Sequence, residues 1–389
     1  MENKRSKYSI NALIFVLVLA LFTLLVTVFS EGMGGGLIST SFVKTLGKTL
    51  CLCLIAIAMD LVWGYCGILS LGHFAFFGLG GYMIGMWLMY ERTRSIVENS
   101  LAQATIPPTP QEVIDGIGTQ IFGVVGSNEF PIIWAFSDSL VAQLALVVLV
   151  PGVMAFVFGW LAFRSRVTGV YLSILTQAFT LALSLYLFQN ESGLRGNNGL
   201  SGLQNLPNVS APQDQVSLWL FWASALALGL GYLGASALVA GKFGSVIRAI
   251  RDNEARVRFL GYKVEHYKLA VFTMTACVAG IAGALYYPQA GIVNPAEMAP
   301  IASIYLAVWV AIGGRGRLYG AVIGAALVSL LSTWFTGGQA PDINLGGFSI
   351  KWVDWWQVLL GLGFVLVTLF APKGLGGLID RLSSKGPSK

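Results

Sequence analysis

Apolar runs about as long as a bilayer is thick recur along this 389-residue chain, and no other feature restricts its fold as much. Residues 10–29 and 140–163 are two such runs, each near the roughly 20 residues with which a helix crosses hydrocarbon. Ten spans are expected, at 10–29, 46–63, 73–90, 139–163, 169–188, 217–240, 269–290, 301–313, 318–335 and 355–371, the eighth unusually short. Only 11% of the residues are charged, against about 25% in a soluble domain. The loops are too poor in apolar residues for a second core. The chain therefore reads as an all-α polytopic membrane protein, one domain over 1–389, with no convincing internal repeat.

Charge sets the expected orientation. With the N-terminus inside, inner segments hold 18 of the 24 Lys/Arg: Lys4, Arg5, Lys7, Arg164, Arg166, seven in 241–268, Arg315, Arg317, Lys373, Arg381, Lys385 and Lys389. A three-to-one bias kept through ten alternations predicts cytoplasmic N- and C-termini. The net charge of +6 is thus a membrane signal and not a nucleic-acid one. Lys4, Arg5 and Lys7 precede an apolar run too long for a signal peptide, so a retained first span is expected. Cys51, Cys53, Cys66 and Cys277 fall in apolar segments or a turn and read as small core residues, with neither a disulfide framework nor a zinc site indicated. The outer loops 91–138 (with Pro107, Pro108, Pro110 and Pro131), 189–216 and 336–354 read as polar connections, and tryptophans gather near span ends as interfacial anchors. Gly316, Gly320 and Gly324, and likewise Gly81 and Gly85, recur every fourth residue and suit close helix packing.

The loop 241–268 holds seven Lys/Arg, three carboxylates and one of only two histidines. Residues 245–251 continue the sixth span as helix. Asp252 or Asn253 suits an N-cap, Glu254 the first turn, and Gly261 the position that ends a short helix. Glu254 and Arg258 stand four apart in the favourable order. A rigid helix results, with Phe259 and Leu260 free for a partner's cleft; the alternative is a basic loop lying on anionic lipid.

Three further segments carry polar groups. Residues 63–82 combine six glycines with Ser70 and His73, a density that permits broken or re-entrant backbone; a tight inner turn is the plainer alternative. Asp60 is the one acid well inside a span, at a cost of about 2.5–3.5 kcal/mol at mid-membrane. At the outer end of the fifth span, Gly196-Asn197-Asn198-Gly199 offers amides that both donate and accept, or simply forms a turn. Ser173, Thr176 and Gln177 extend that polar character into the span. Gly47-Lys48-Thr49 mimics the end of a phosphate loop, but its first glycine would fall on Phe42. The spans lack the acidic and histidine relays of proton-coupled carriers. Energy for pumping would have to enter from outside, through 241–268.

Three blocks resemble the permease subunits of ABC importers of the branched-chain amino acid and urea type (the LivM-like family). They are the run from Gly64 to Phe77; the run from Ile247 to Ala255 with Leu260-Gly261-Tyr262 and Tyr267-Lys268-Leu269; and the run from Ala279 to Leu285 with Gly313-Gly314-Arg315-Gly316 and Phe370-Ala371-Pro372-Lys373-Gly374-Leu375. The resemblance covers 49–378. Within the family the chain is most similar to the UrtC-type urea permeases, through 164–188 and the Asn-rich 196–200. It departs from the general coupling pattern, with Arg256 in place of the second alanine and Gly261 one position late. The resemblance implies a heterodimer with a second homologous permease, two cytoplasmic ATPases carrying ATP and magnesium, an extracytoplasmic substrate-binding protein, and a bacterial plasma membrane. This chain would hold no cofactor and catalyse nothing. Arg251, Asp252, Asn253, Glu254, Ala255, Arg258, Leu260 and Gly261 would engage the ATPases. Asp60, Ser70, His73, Ser173, Gln177, Asn197 and Asn198 would line the path. Urea is the expected cargo; branched-chain amino acids or short amides are the alternative, and a passive urea or amide channel is the alternative of another class.

Overall fold

The computed structural model describes residues 2–101, 109–122, 131–167, 169–204, 212–337, 343–345, 348–350, 352–370 and 374–377. Pro107, Pro108, Lys351, Ala371-Pro372-Lys373, Arg381, Lys385 and Lys389 lie outside them, as do the side chains of Lys4, Arg5 and Lys7. Thirteen α-helices are described: α1 (Glu2–Phe29), α2 (Thr40–Met59), α3 (His73–Leu101), α4 (Pro110–Phe122), α5 (Leu140–Arg164), α6 (Val170–Phe188), α7 (Gln213–Ala240), α8 (Lys242–Asp252), α9 (Glu254–Phe259), α10 (Val264–Ala290), α11 (Pro300–Gly313), α12 (Leu318–Thr336) and α13 (Trp352–Phe370). Each of the ten apolar runs falls mainly on one of them, although 60–63 lie in the π-helical turn after α2 and residue 371 lies outside the described residues. Seven are long and apolar enough to cross a membrane: α1, α2 with its continuation to Tyr65, α5, α6, α7, α10 and α12. Short 3-10 turns connect several of them, and there are two short antiparallel pairs, β1 (Leu200–Ser201) with β2 (Ile292–Val293) and β3 (Ile343–Leu345) with β4 (Phe348–Ile350). The protein is an all-α polytopic membrane protein.

α2 and α10 form the buried centre; the α2 span is 89% buried and the α1 span only 11%. Glycines let α3 reach α10. A Cβ at Gly80 would strike the backbone of Gly280, and one at Gly283 the backbone of Phe77. Side-chain-free faces are how helices approach closely where lipid supplies no hydrophobic drive. Gly81 seats the Tyr287 ring. Gly320 and Gly324 face Gly313 of α11, but Gly316 lies in the turn before α12 with φ +78°, so the expected three-glycine face on one helix reduces to two.

Two segments enter the bundle from opposite ends as non-α-helical chain, and each becomes an α-helix only midway, α3 and α11 carrying the chain on to the other end. After α2 the helix widens into a π-helical turn (Asp60–Tyr65), and residues 66–72 then climb back along α6. The Ser173 hydroxyl donates to the Leu69 carbonyl (2.7 Å), the Leu71 amide donates to Thr176 Oγ1 (3.0 Å), and Gly72 lies against Thr180. Thr180 is eleven residues into the bundle from Gly169, about 16 Å at helical rise, so α3 begins in the interior. The glycine-rich segment is therefore broken backbone that re-enters the bundle at 66–72 and is continued to the far end by α3, not a tight turn. From the far end, residues 291–299 descend along α3: Val293 lies near Gly85, Met298 against Gly78, and the Ser303 hydroxyl accepts from the Phe74 amide (3.1 Å). α11 thus starts inside, which explains the short eighth run.

The first described turns of α1 and the last described residues, 374–377, lie at the end of the bundle that carries α8 and α9. The Tyr8 carbonyl accepts from Ser236, and the Gly376 carbonyl from Tyr319. Two expectations need correction. Residues 91–138 are not a simple polar loop, because α3 runs on to Leu101 and α4 packs beside it through buried Ile117, Ile121 and Phe122. Thr109 and Glu112 start α4 with a capping box, each side chain accepting the other's amide. Residues 245–251 do not prolong the sixth span, since the extended Gly241 (ψ 179°) breaks the chain between α7 and α8.

Candidate functional site

Polar chemistry gathers at two places. The first is the end of the bundle bearing α9. Asn253 is the N-cap, its side-chain oxygen accepting from the Arg256 amide at 3.0 Å. Asp252 instead ends α8 and pairs with Arg251 (3.0 Å). Glu254, in the first turn, receives Arg258 at 3.0 Å as its spacing predicts, and also Lys268 of α10 at 2.6 Å. Arg258 further pairs with Glu265 at 2.9 Å. Gly261 ends α9 with φ +88°, its amide donating to the Arg258 carbonyl. Val257 packs on Ile250 and Val264. Phe259 and Leu260 are left 92% and 72% exposed, on a helix that is otherwise pinned.

Lys268 also connects this end to the interior. Seven residues on, along the same face of α10, stands Thr275. Its hydroxyl lies 3.2 Å from His73 Nε2, and His73 Nδ1 lies 3.0 Å from Ser70 Oγ. Phe76 and Phe272 meet the imidazole edge to face. A rigid α10 therefore joins the short helix to the first re-entrant segment. A cleft of about 350 Å³ opens between them, bounded by Gly67, Leu69, Ser173, Arg251, Glu254 and Lys268.

The second place is the bundle interior, where α3 and α11 start. Ser70, His73, Thr176, Thr180, Thr275 and Ser303 are all buried there. Every one is uncharged or neutralisable, and two helix N-termini bring positive partial charge to the same spot. Sequence reasoning missed half of this set. Thr180 and Ser184 follow Ser173 and Thr176 along one face of α6, whereas Gln177, at the edge of that face, is only half-buried. Thr275 and Ser303 carry no local signal; a lone hydroxyl in an apolar helix more often bonds its own backbone. Tyr82 Oη and Trp309 Nε1, further along α3 and α11, are buried without a hydrogen-bond partner among the described residues. Each such group costs about 1–3 kcal/mol.

The other expected path residues lie apart. Asp60 is fully buried near the loop end. Its Oδ1 accepts from the Gly316 amide (2.7 Å), while Arg251 donates to the adjacent Gly64 carbonyl (2.7 Å). These bonds fix the turn between α11 and α12, away from His73. Asn197 and Asn198 are exposed at the far end. The backbone carbonyl of Asn197, not its amide, is engaged, accepting from Asn294 at 2.7 Å. That bond and the Leu200–Val293 pairing fasten the Asn-rich turn to the mouth of the second re-entrant segment. Cys51 and Cys53 are buried against Ser224 and the Val322 carbonyl on different sides of α2.

Two half-crossing helices that meet at a hydroxyl cluster, with one pinned amphipathic pair at the end, define a polytopic membrane protein with a broken-helix core. Within that class, the chain belongs to the family described as branched-chain amino acid transport system / permease component, whose model matches residues 41–368. Among its relatives is the high-affinity branched-chain amino acid transport system permease protein LivM of Salmonella typhimurium, 26% identical over 255 residues, or 60% of this chain and 56% of that protein. LivM of Escherichia coli K12 is 27% identical over 253 residues, 58% and 56% of the two chains. The autoinducer 2 import system permease protein LsrC of Klebsiella pneumoniae is 33% identical over 116 residues, 27% and 34%. The chain thus spans little more than half the length of the two LivM proteins. No solved structure matches it.

Proposed function

We propose that this chain is the permease subunit of an ATP-binding-cassette importer in a bacterial plasma membrane, and that its cargo is urea. The observation that carries the reading is the interior cluster of Ser70, His73, Thr176, Thr180, Thr275 and Ser303, polar but without a carboxylate or ammonium. A small neutral solute with donors and an acceptor replaces its water there at low cost, and the helix N-termini suit its carbonyl oxygen. Energy enters at α9. A partner ATPase grips exposed Phe259 and Leu260, and α10 carries the displacement from Lys268 to Thr275 and the re-entrant segment. The end bearing α8 and α9 is then cytoplasmic, in keeping with its basic residues. A second permease, two ATPases holding ATP and magnesium, and an external binding protein complete the transporter.

A second cargo, branched-chain amino acids, is favoured by the names of the LivM relatives and by the same helix N-termini, which also suit a carboxylate. Uptake of labelled urea beside labelled leucine, at low micromolar concentration in cells with and without the chain, separates the readings. Loss of ATP-dependent urea uptake alone supports urea; loss of leucine uptake alone supports the second cargo. Urea flux that persists without ATP contradicts both and indicates a channel.

A further inference from the structure

We propose that Glu297 is a solute-binding residue near the far-end mouth: its carboxylate accepts the N–H groups of a small ureido or amino solute, and Lys48 takes the solute's oxygen. The site rests on the importer reading above and adds to it a stop before the interior cluster. Glu297 stands on a 3-10 turn, Pro295–Met298, in the second re-entrant segment. The Asn294 side chain starts that turn, accepting from the Ala296 amide at 2.8 Å. Met298, the next residue, lies against Gly78, five residues and about 7–8 Å along α3 from its interior start. The turn is thus held at membrane depth, yet Glu297 is exposed. Hydrocarbon expels a carboxylate at that depth, so the space in front of Glu297 is open to water.

Its neighbours come from three helices. Gly78, Gly81, Tyr82 and Gly85 share one face of α3, at helical spacing. Gly78 takes Met298, Gly81 seats the Tyr287 ring and Gly85 lies near Val293, so this face meets the re-entrant segment. Tyr82 is the side chain that the same face turns toward it. Glu297 is the charge that the Tyr82 hydroxyl faces, and Tyr287 presents its hydroxyl to the same carboxylate. Tyr82 is fully buried, and its Oη has no hydrogen-bond partner among the described residues. From α2, half-buried Lys48 is the cation that faces Glu297. No ion pair joins the two. Solvation alone would account for two charges near a mouth, but not for a buried phenol without a partner. A solute accounts for both. The parallel N–H groups of a ureido group match the two carboxylate oxygens, and its oxygen then meets Lys48 or Tyr82. An amino acid suits the same pair, ammonium to Glu297 and carboxylate to Lys48. A simple anion does not, because Glu297 repels it.

The test needs no transport. Saturation-transfer NMR on the full chain in nanodiscs reads binding of methylurea, leucine and acetate through their methyl groups. The expected result is saturation of methylurea or leucine and none of acetate. Methylurea alone marks a ureido site and leucine alone an amino acid site; both outcomes support the proposal. Glu297→Gln should weaken binding about tenfold, the step from a charged to a neutral acceptor, and Glu297→Asp should weaken it less. Lys48→Met should also weaken it. Glu297 is exposed, so its variants should fold as the unaltered chain does. The proposal is overturned if the unaltered chain binds neither N–H probe, if acetate binds as well as they do, or if Glu297→Gln binds them undiminished. The ATP dependence of uptake is a separate measurement. Uptake that ignores ATP would reject the importer reading, while a Glu297-dependent NMR signal would leave the site standing.

Discussion

The α8–α9 hairpin and the interior cluster are both polar, yet they are built from different material. The hairpin is fastened by full charges, Glu254 and Arg258 of α9 with Glu265 and Lys268 of α10, within fifteen residues of one another. The cluster uses hydroxyls and one imidazole from α3, α6, α10 and α11, up to 233 positions apart from Ser70 to Ser303. Water and headgroups solvate the first, so charge is affordable there; hydrocarbon surrounds the second, where a charge costs about 2.5–3.5 kcal/mol. Under the proposed function, a site that receives force must be stiff and locally specified. One that passes a solute must be polar without trapping it.

The same contrast decides what the sequence reveals. The cap at Asn253, the Glu254–Arg258 pair, the stop at Gly261 and the exposed Phe259 follow rules that act over a few residues, and all are visible in the chain. Glu254–Lys268 is not, because it depends on α10 folding back. Ser70, His73 and Ser173 stand out as polar residues in apolar runs, but nothing local tells that Thr275 and Ser303 join them. The second re-entrant segment hides for a similar reason. Its only trace is a run of 301–313 too short to cross. Asp60 stood out by its charge, and the structure engages it with a turn.

Variants at the join of the two regions should have the largest effect. Gly283→Leu drives a side chain into the backbone of Phe77, so α3 and α10 cannot stay in contact. The expected outcome is loss of monodisperse protein in detergent, read by size-exclusion chromatography; a stable product would break the claim that these glycines position the cluster. Next comes Ser303→Val, which leaves the Phe74 amide without its acceptor and removes a hydroxyl from the cluster. It should cost about 1–3 kcal/mol in stability, read by thermal unfolding, and lower uptake by about tenfold or more.

At the hairpin the effects are smaller. A double-mutant cycle of Glu254→Gln and Lys268→Met should show a coupling of about 1.5–3 kcal/mol in unfolding free energy, since Lys268 is only 9% exposed. A coupling near zero would mean that α9 is not fastened to α10. Asn253→Ala should cost about 1 kcal/mol, the usual value of an N-cap, and leave the interior cluster untouched.

Under the proposed function, exposed Phe259 and Leu260 on a pinned helix receive the force that moves solute through the interior. ATP-dependent uptake by the assembled transporter carrying Phe259→Ala and Leu260→Ala tests it directly. Uptake should fall to background with thermal stability within about 0.5 kcal/mol of the unaltered protein, because neither side chain is buried. Uptake at the unaltered rate, with both side chains gone, would contradict it.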